Sequence, residues 1–249
     1  MKVITRTLLA LTAFSLAGIV QAGSASGQSY INYFVAGATY NSGLPEYPSI
    51  PGQPGLKLTN FHSGITLAFN ALKSYARPDS SGVYSLAYLP PPAMGHFDFK
   101  HVAGQEVYYG EWSNNGTHND PTRVVYYSGD TEGRVLPTAT VTYAVQGISN
   151  YSGANLLQGE LSASFGTNAP TLVGTLSNSS LSIQLAAPIN TTDANFNGVA
   201  AARNTSDGKL LSTGNTQGSF YGAGANASLA GIAKFTNRDY DTAFGGVVK

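Results

Sequence analysis

Apolar and polar residues alternate with a period of two through most of the second half of the chain. Val141, Tyr143 and Val145 form one such run and Leu161, Ala163 and Phe165 another, while Val124 and Tyr126 alternate with Val125 and Tyr127. A period of two is the signature of β-strands, and Gly, Asn, Ser and Pro clusters interrupt these runs about every 10 to 14 residues. The pattern predicts nine strand candidates, at 122–128, 139–148, 156–166, 171–177, 180–188, 194–203, 216–222, 228–236 and 241–248. One closed antiparallel barrel over residues 122–249 would use eight of them, leaving the ninth as a loop. Helical periodicity is nearly absent. Gly64 to Tyr75, with Ile65, Leu67, Phe69 and Leu72, fits a helix or a strand followed by a turn. The expected class is all-β: a β-rich N-terminal module, then an eight-stranded antiparallel barrel.

Residues 1–22 follow a different rule. Lys2 and Arg6 precede an apolar run from Leu8 to Val20, and Val20-Gln21-Ala22 is a small-x-small cleavage site. The run is too short for a membrane span of roughly 20 residues. It reads as a Sec signal peptide, and no later stretch is apolar enough to cross a bilayer as a helix. Composition shifts again near residue 122. Nine of the twelve prolines, all four histidines and the single Trp precede it. This division predicts a ligand-binding module over 23–121 and a barrel over 122–249, because a Pro-positioned, loop-rich module beside a regular scaffold is where recognition residues concentrate.

Charge and chemistry narrow the function. The 249 residues carry 13 Lys+Arg against 13 Asp+Glu, only 10% charged in all, with 11% aromatic. That balance provides no basic field for nucleic acid and excludes a disordered chain. The absence of Cys excludes disulfide scaffolds, thiol enzymes and a lipid-anchoring cysteine after the cleavage site. No GxSxG, HExxH or GxxxxGK[ST] motif occurs. Glu106 and Glu111, five residues apart, fall on opposite faces of a strand, and Asp98 with Glu106 sit too far apart along one. These carboxylates read as solvated loop and edge charges rather than an acid–base pair, and the chain does not read as an enzyme.

The C-terminal string is the most informative. GSFYG (Gly218 to Gly222), SLAGIAKF (Ser228 to Phe235) and AFGG (Ala243 to Gly246) follow one another, with Ala225 in a short helical turn between the first two. This succession resembles the C-terminal barrel of the transferrin-binding protein B family. YYGEWS (Tyr108 to Ser113) followed by TRVVYYSGD (Thr122 to Asp130) is similar to the hemophilin-type branch of that group. The resemblance implies a secreted haemophore. Such a protein crosses the outer membrane of a Gram-negative bacterium through a Slam-type translocon and binds haem (iron protoporphyrin IX) in its first module. It takes that haem from a source such as haemoglobin and delivers it to a TonB-dependent outer-membrane receptor. The barrel would then serve export and handling. A second reading within the same export group is a colonisation factor that binds a host protein.

Haem iron needs axial donors, and without Cys the choices are His, Met or Tyr. His62 in NFHSG, His96 after PPPAMG and His118 in NNGTHND each sit beside Gly or in a soft loop, which allows close approach to a flat cofactor. They rank in that order as haem and metal ligands, and the spacing leaves open which two meet. His101 alternates with Phe97 and Phe99 and is expected to point with them into the local core. Tyr30, Tyr33, Phe34, Phe61, Phe69 and Tyr88 are among the aromatic residues available as porphyrin walls or as core. Lys57, Lys73 and Arg77 are available for the propionates.

Overall fold

The computed structural model describes residues 23–39, 50–59, 66–87, 94–117 and 119–249. The leader at 1–22, His62 and His118 lie outside them. The first half contains β1 (Ser24–Gln28), β2 (Phe34–Ala38), β3 (Pro54–Leu58), β4 (Thr66–Ala68), α1 (Phe69–Lys73), β5 (Tyr84–Ala87), β6 (His96–His101), β7 (Val107–Ser113) and β8 (Val124–Asp130). The second half contains β9 (Thr140–Ile148), β10 (Leu157–Ser164), β11 (Thr171–Ser177), β12 (Leu181–Asn190), β13 (Asn195–Asn204), β14 (Leu210–Tyr221), β15 (Ser228–Phe235) and β16 (Thr242–Val248). A 3₁₀ turn at Gly224–Asn226 stands where the helical turn was expected.

Strands β9 to β16 close into an eight-stranded antiparallel barrel, sealed where β16 pairs with both β15 and β9. An eight-stranded barrel has an interior about wide enough for side chains to fill. Here Tyr143, Leu157, Leu161, Phe196, Phe220 and Phe244 fill it, all at or below 1% exposure. The ring of Phe220 lies 5.1 Å from Phe165, 5.5 Å from Phe196 and 5.9 Å from Tyr143. The barrel is a packed core and offers haem no lumen.

The N-terminal module consists of two sheets. β1, β8, β7, β6 and β5 form a five-stranded antiparallel sheet in that order, and β2, β3 and β4 form a three-stranded one. Their facing sides enclose Phe34, Leu56, Leu67, Phe97, Tyr108 and Trp112. The ambiguous segment from Gly64 is both things in turn: Thr66–Ala68 extends the small sheet, then Phe69–Lys73 makes a short helix. Phe69 stacks on Tyr108 at 5.1 Å and on Tyr126 at 5.3 Å.

The ninth strand candidate is not a loop. Residues 124–130 form a strand, but it joins β1 and β7 instead of the barrel. Burial explains the difference. β12 alternates buried and exposed positions as an outer barrel wall does, whereas β8 is buried through six consecutive residues. Val124 and Tyr126 enter the core between the two sheets. Val125 and Tyr127 join Tyr109, Val107, Tyr221 and Ile232 in a third core, between the five-stranded sheet and the outside of the barrel.

Two close approaches fit that third core together. A Cβ on Gly245 of the barrel would lie 2.5 Å from the Tyr109 ring, and one on Gly129 of the module would lie 2.5 Å from the Tyr221 ring. Each side thus supplies one aromatic ring and one glycine that leaves room for the other's ring. The glycines of the YYSGD and AFGG strings therefore join module to barrel, beyond sealing the barrel itself.

Phe220→Ala is expected to cost about 3–5 kcal/mol, because a large interior cavity would be left; urea unfolding followed by far-UV circular dichroism measures it. Deleting residues 242–248 unpairs edges on β15 and β9. The truncated chain is expected in the aggregate fraction on size exclusion, with no folded monomer.

Candidate functional site

The side of the five-stranded sheet that faces the barrel carries a buried polar cluster. By strand alternation, Phe97, Phe99 and Trp112 point between the two sheets, while His96, Asp98, Glu111 and Ser113 point the other way. Asp98 and Glu111 are direct cross-strand partners, only 5% and 6% exposed. Two carboxylates opposite each other repel, so each is held by its own donors. Arg123 Nε donates to Glu111 Oε2 at 2.7 Å, Asn150 N–H to the same oxygen at 2.9 Å, and Tyr151 N–H to Oε1 at 2.6 Å. Ser85 donates to Asp98 Oδ1 at 2.5 Å, and His96 Nε2 lies 2.9 Å from Asp98 Oδ2.

The reading of Asp98 and Glu111 as solvated charges is therefore corrected. Their partners lie up to 40 residues away in the chain, beyond the reach of local spacing. Arg123 continues into the barrel, donating to the Arg238 carbonyl at 2.7 Å and to the Asp241 carbonyl, so this polar core joins the two halves.

His96 is engaged within this cluster. Its hydrogen bond to Asp98 raises its pKa above the ordinary imidazole value. A Cβ on Gly116 would lie 2.9 Å from His96 Nδ1, so that backbone covers the second nitrogen. The cavity beside it, of about 20 Å³, has room for a single water and is far too small for a porphyrin. His101 lies, as its alternation predicts, on the Phe97 side, its ring 4.9 Å from Tyr108. Burial and then the nearby Lys73 charge lower its pKa. Among the described residues, no three His, Asp or Glu side chains converge as a metal site.

His62 and His118 lie in segments whose described flanks share one end of the module, around Trp112. The Trp112 ring lies 6.2 Å from Tyr33 and 6.3 Å from Phe34, and its indole N–H donates to the Met94 carbonyl at 2.8 Å. Thr59, which precedes the His62 segment, donates from N–H to the Tyr33 carbonyl at 3.1 Å and from its hydroxyl to the Asn32 carbonyl at 2.8 Å. Ser113, next to Trp112, accepts from Gly116 N–H at 3.0 Å, just before Thr117 and position 118. Ala87 pairs with His96, which pairs with Ser113, so the β5–β6 connection opens at this end too. Half-buried Tyr30 and Tyr33 stand here, whereas Phe34, Phe69 and Phe97 are fully buried core. Histidine is a residue type that can ligate haem iron.

Residues 15–124 match the family described as the HphA N-terminal heme-binding domain, and residues 134–248 the HphA C-terminal domain. The chain belongs to the HphA family. Haem binding is thus the function class of its N-terminal half. Among solved structures, it is similar to a transferrin-binding protein B double mutant from Haemophilus parasuis, with TM-score 0.50 and 13% identity over 90% of this chain. The match spans 44% of that structure's chain, and at this identity it speaks for the fold alone. A transferrin-binding protein B mutant from Actinobacillus pleuropneumoniae also aligns, at 16% identity and TM-score 0.45, over 92% of this chain and 100% of that one.

Asp241, 2% exposed at the barrel end of the polar core, has its pKa pushed up to about 6 by burial. Above that pH the folded state must hold a desolvated carboxylate, which lowers stability. As pH falls toward 4, the folded state takes up the proton before the unfolded chain does, and the penalty disappears. Asp241→Asn is expected to raise the unfolding free energy near pH 7.5 by up to about 3 kcal/mol, with the gain vanishing near pH 4. Urea titrations at the two pH values check this.

Proposed function

We propose that this chain is a secreted haemophore that captures iron protoporphyrin IX at the Trp112 end of its N-terminal module. The observation that carries this reading is that the described residues flanking His62 and His118 lie at the same end of the module, Thr59 beside Tyr33 and Gly116 beside Ser113. His62 and His118 would each supply an imidazole to the iron. His96, the remaining ligand candidate, is already bonded to Asp98, so its part is to hold the β6–β7 end of the site. Haem, when bound, would supply a ferric iron that accepts imidazole nitrogen donors. Tyr30 and Tyr33 shield the porphyrin faces, contributing about 25 cal/mol per Å² of apolar surface removed from water.

Carriage, not catalysis, is the activity. Residues 1–22 direct export and are removed, and a Slam-type translocon passes the mature chain across the outer membrane. The ligand-binding part begins at residue 23, and the barrel serves export and handling. Haem taken from haemoglobin then passes to a TonB-dependent outer-membrane receptor. The absence of Cys supports release over lipid anchoring. No helix among the described residues is long and apolar enough to cross a membrane.

Haemin titration is expected to give a sharp Soret shift saturating at one equivalent. His62→Ala and His118→Ala are each expected to turn a low-spin spectrum toward high spin and to speed haem loss, with the fold retained. His101→Ala is expected to leave the spectrum unchanged. If His62→Ala and His118→Ala both keep the wild-type spectrum, ligation at these positions is wrong. If no Soret shift occurs at all, the host-protein-binding reading takes over.

A further inference from the structure

The loop between β7 and β8, residues 114–123, is held at its far limb by the barrel. Asp120 braces it from within, accepting from Asn115 N–H at 3.1 Å and from Thr122 N–H at 2.8 Å. Further restraints come from two barrel turns. In the β9–β10 turn, Asn150 accepts from Asn119 N–H through Oδ1 at 3.1 Å and donates from Nδ2 to Asn119 Oδ1 at 2.9 Å. The same Nδ2 donates to the Asp239 carbonyl at 2.8 Å, which ties the first turn to the second. In the β15–β16 turn, Arg238 donates to the Pro121 carbonyl at 2.9 Å and the Arg123 carbonyl at 2.5 Å, with its guanidinium 3.7 Å from the Tyr30 ring centre.

Asn119 and Asn150 both have left-handed backbones, with φ of 57° and 46°. Asn adopts that conformation more readily than most residues bearing a side chain, and each accepts it at a site where its amide meets the other's. Asn119 is the neighbour of position 118 in the chain.

We infer that Asn150, through its reciprocal amide pair with Asn119, is a barrel residue that positions the haem-binding loop and so sets haem affinity. This rests on the haem site proposed above and goes beyond it. The barrel then has a part in ligand capture as well as in handling. Because Asn150 acts through Asn119, its role is positioning, not contact with haem.

Asn150→Gly tests this directly, since glycine keeps the left-handed backbone without strain and removes only the side-chain bonds. The purified protein is loaded with haemin, and haem transfer to excess apomyoglobin is followed by stopped flow, alongside the spin-state bands of the absorption spectrum. Asn150→Gly is expected to release haem about tenfold faster, on the scale of one net hydrogen bond, with a shifted spin equilibrium. Asn119→Gly, which keeps the backbone N–H that donates to Asn150 and loses only the Nδ2–Oδ1 bond, is expected to speed release by less, and the double variant no more than Asn150→Gly alone. Asn190→Gly, which removes a turn amide at the opposite end of the barrel, is expected to match the wild type.

If Asn150→Gly binds haemin and matches the wild type in release rate and spectrum, the inference is overturned and the haem reading stands. If the wild type gives no Soret shift, the haem reading falls and the inference with it.

Discussion

A sheet buried on both faces governs this molecule. The five strands from β5 to β8 and β1 have the two-sheet core on one side and the barrel's outer wall on the other. Any polar group on the barrel-facing side must therefore find its partner within the sheet or across the joint. Glu111 does so with Arg123 and with the backbone of Asn150 and Tyr151, which satisfies both carboxylate oxygens. A buried pair of this kind adds little net stability, but it is costly to break and it fixes one arrangement of the parts. Module and barrel form a single framework in which the position of one turn depends on the other.

Much of the architecture was legible in the chain. The alternation from residue 139 onward located the eight barrel strands, because each has one face in a packed interior and the other in solvent. The run at 122–128 was correctly a strand and wrongly a member of the barrel series. Its side chains are apolar on both faces, and period-two reading cannot distinguish which cores those faces enter. The short helix Phe69–Lys73 was half-legible, since five residues are too few to establish a helical period.

The site was less legible. The clustering of all four histidines before residue 122 pointed to the correct half, and the alternation of His101 with Phe97 and Phe99 gave its orientation. That His96 faces Asp98 was within reach of sequence, because residues two apart on a strand share a face. That Asn150 and Arg238 hold the β7–β8 loop was not, because those contacts span 31 and 117 residues and arise only once the barrel has closed. Exposed-looking Asp and Glu in a chain with so little charge were the one available hint.

The reciprocal seating of Tyr109 over Gly245 and Tyr221 over Gly129 bears on how such proteins diversify. Tyr109 and Gly129 lie in the segment before the barrel, and Tyr221 and Gly245 near the chain's end. A recombination event that brought in a foreign first half would preserve the joint only if the newcomer carried an aromatic residue at one place and a bare backbone at the other. The joint is thus a constrained mating surface, and a lineage under pressure to change its ligand or escape recognition would have to leave these four positions matched while rewriting others.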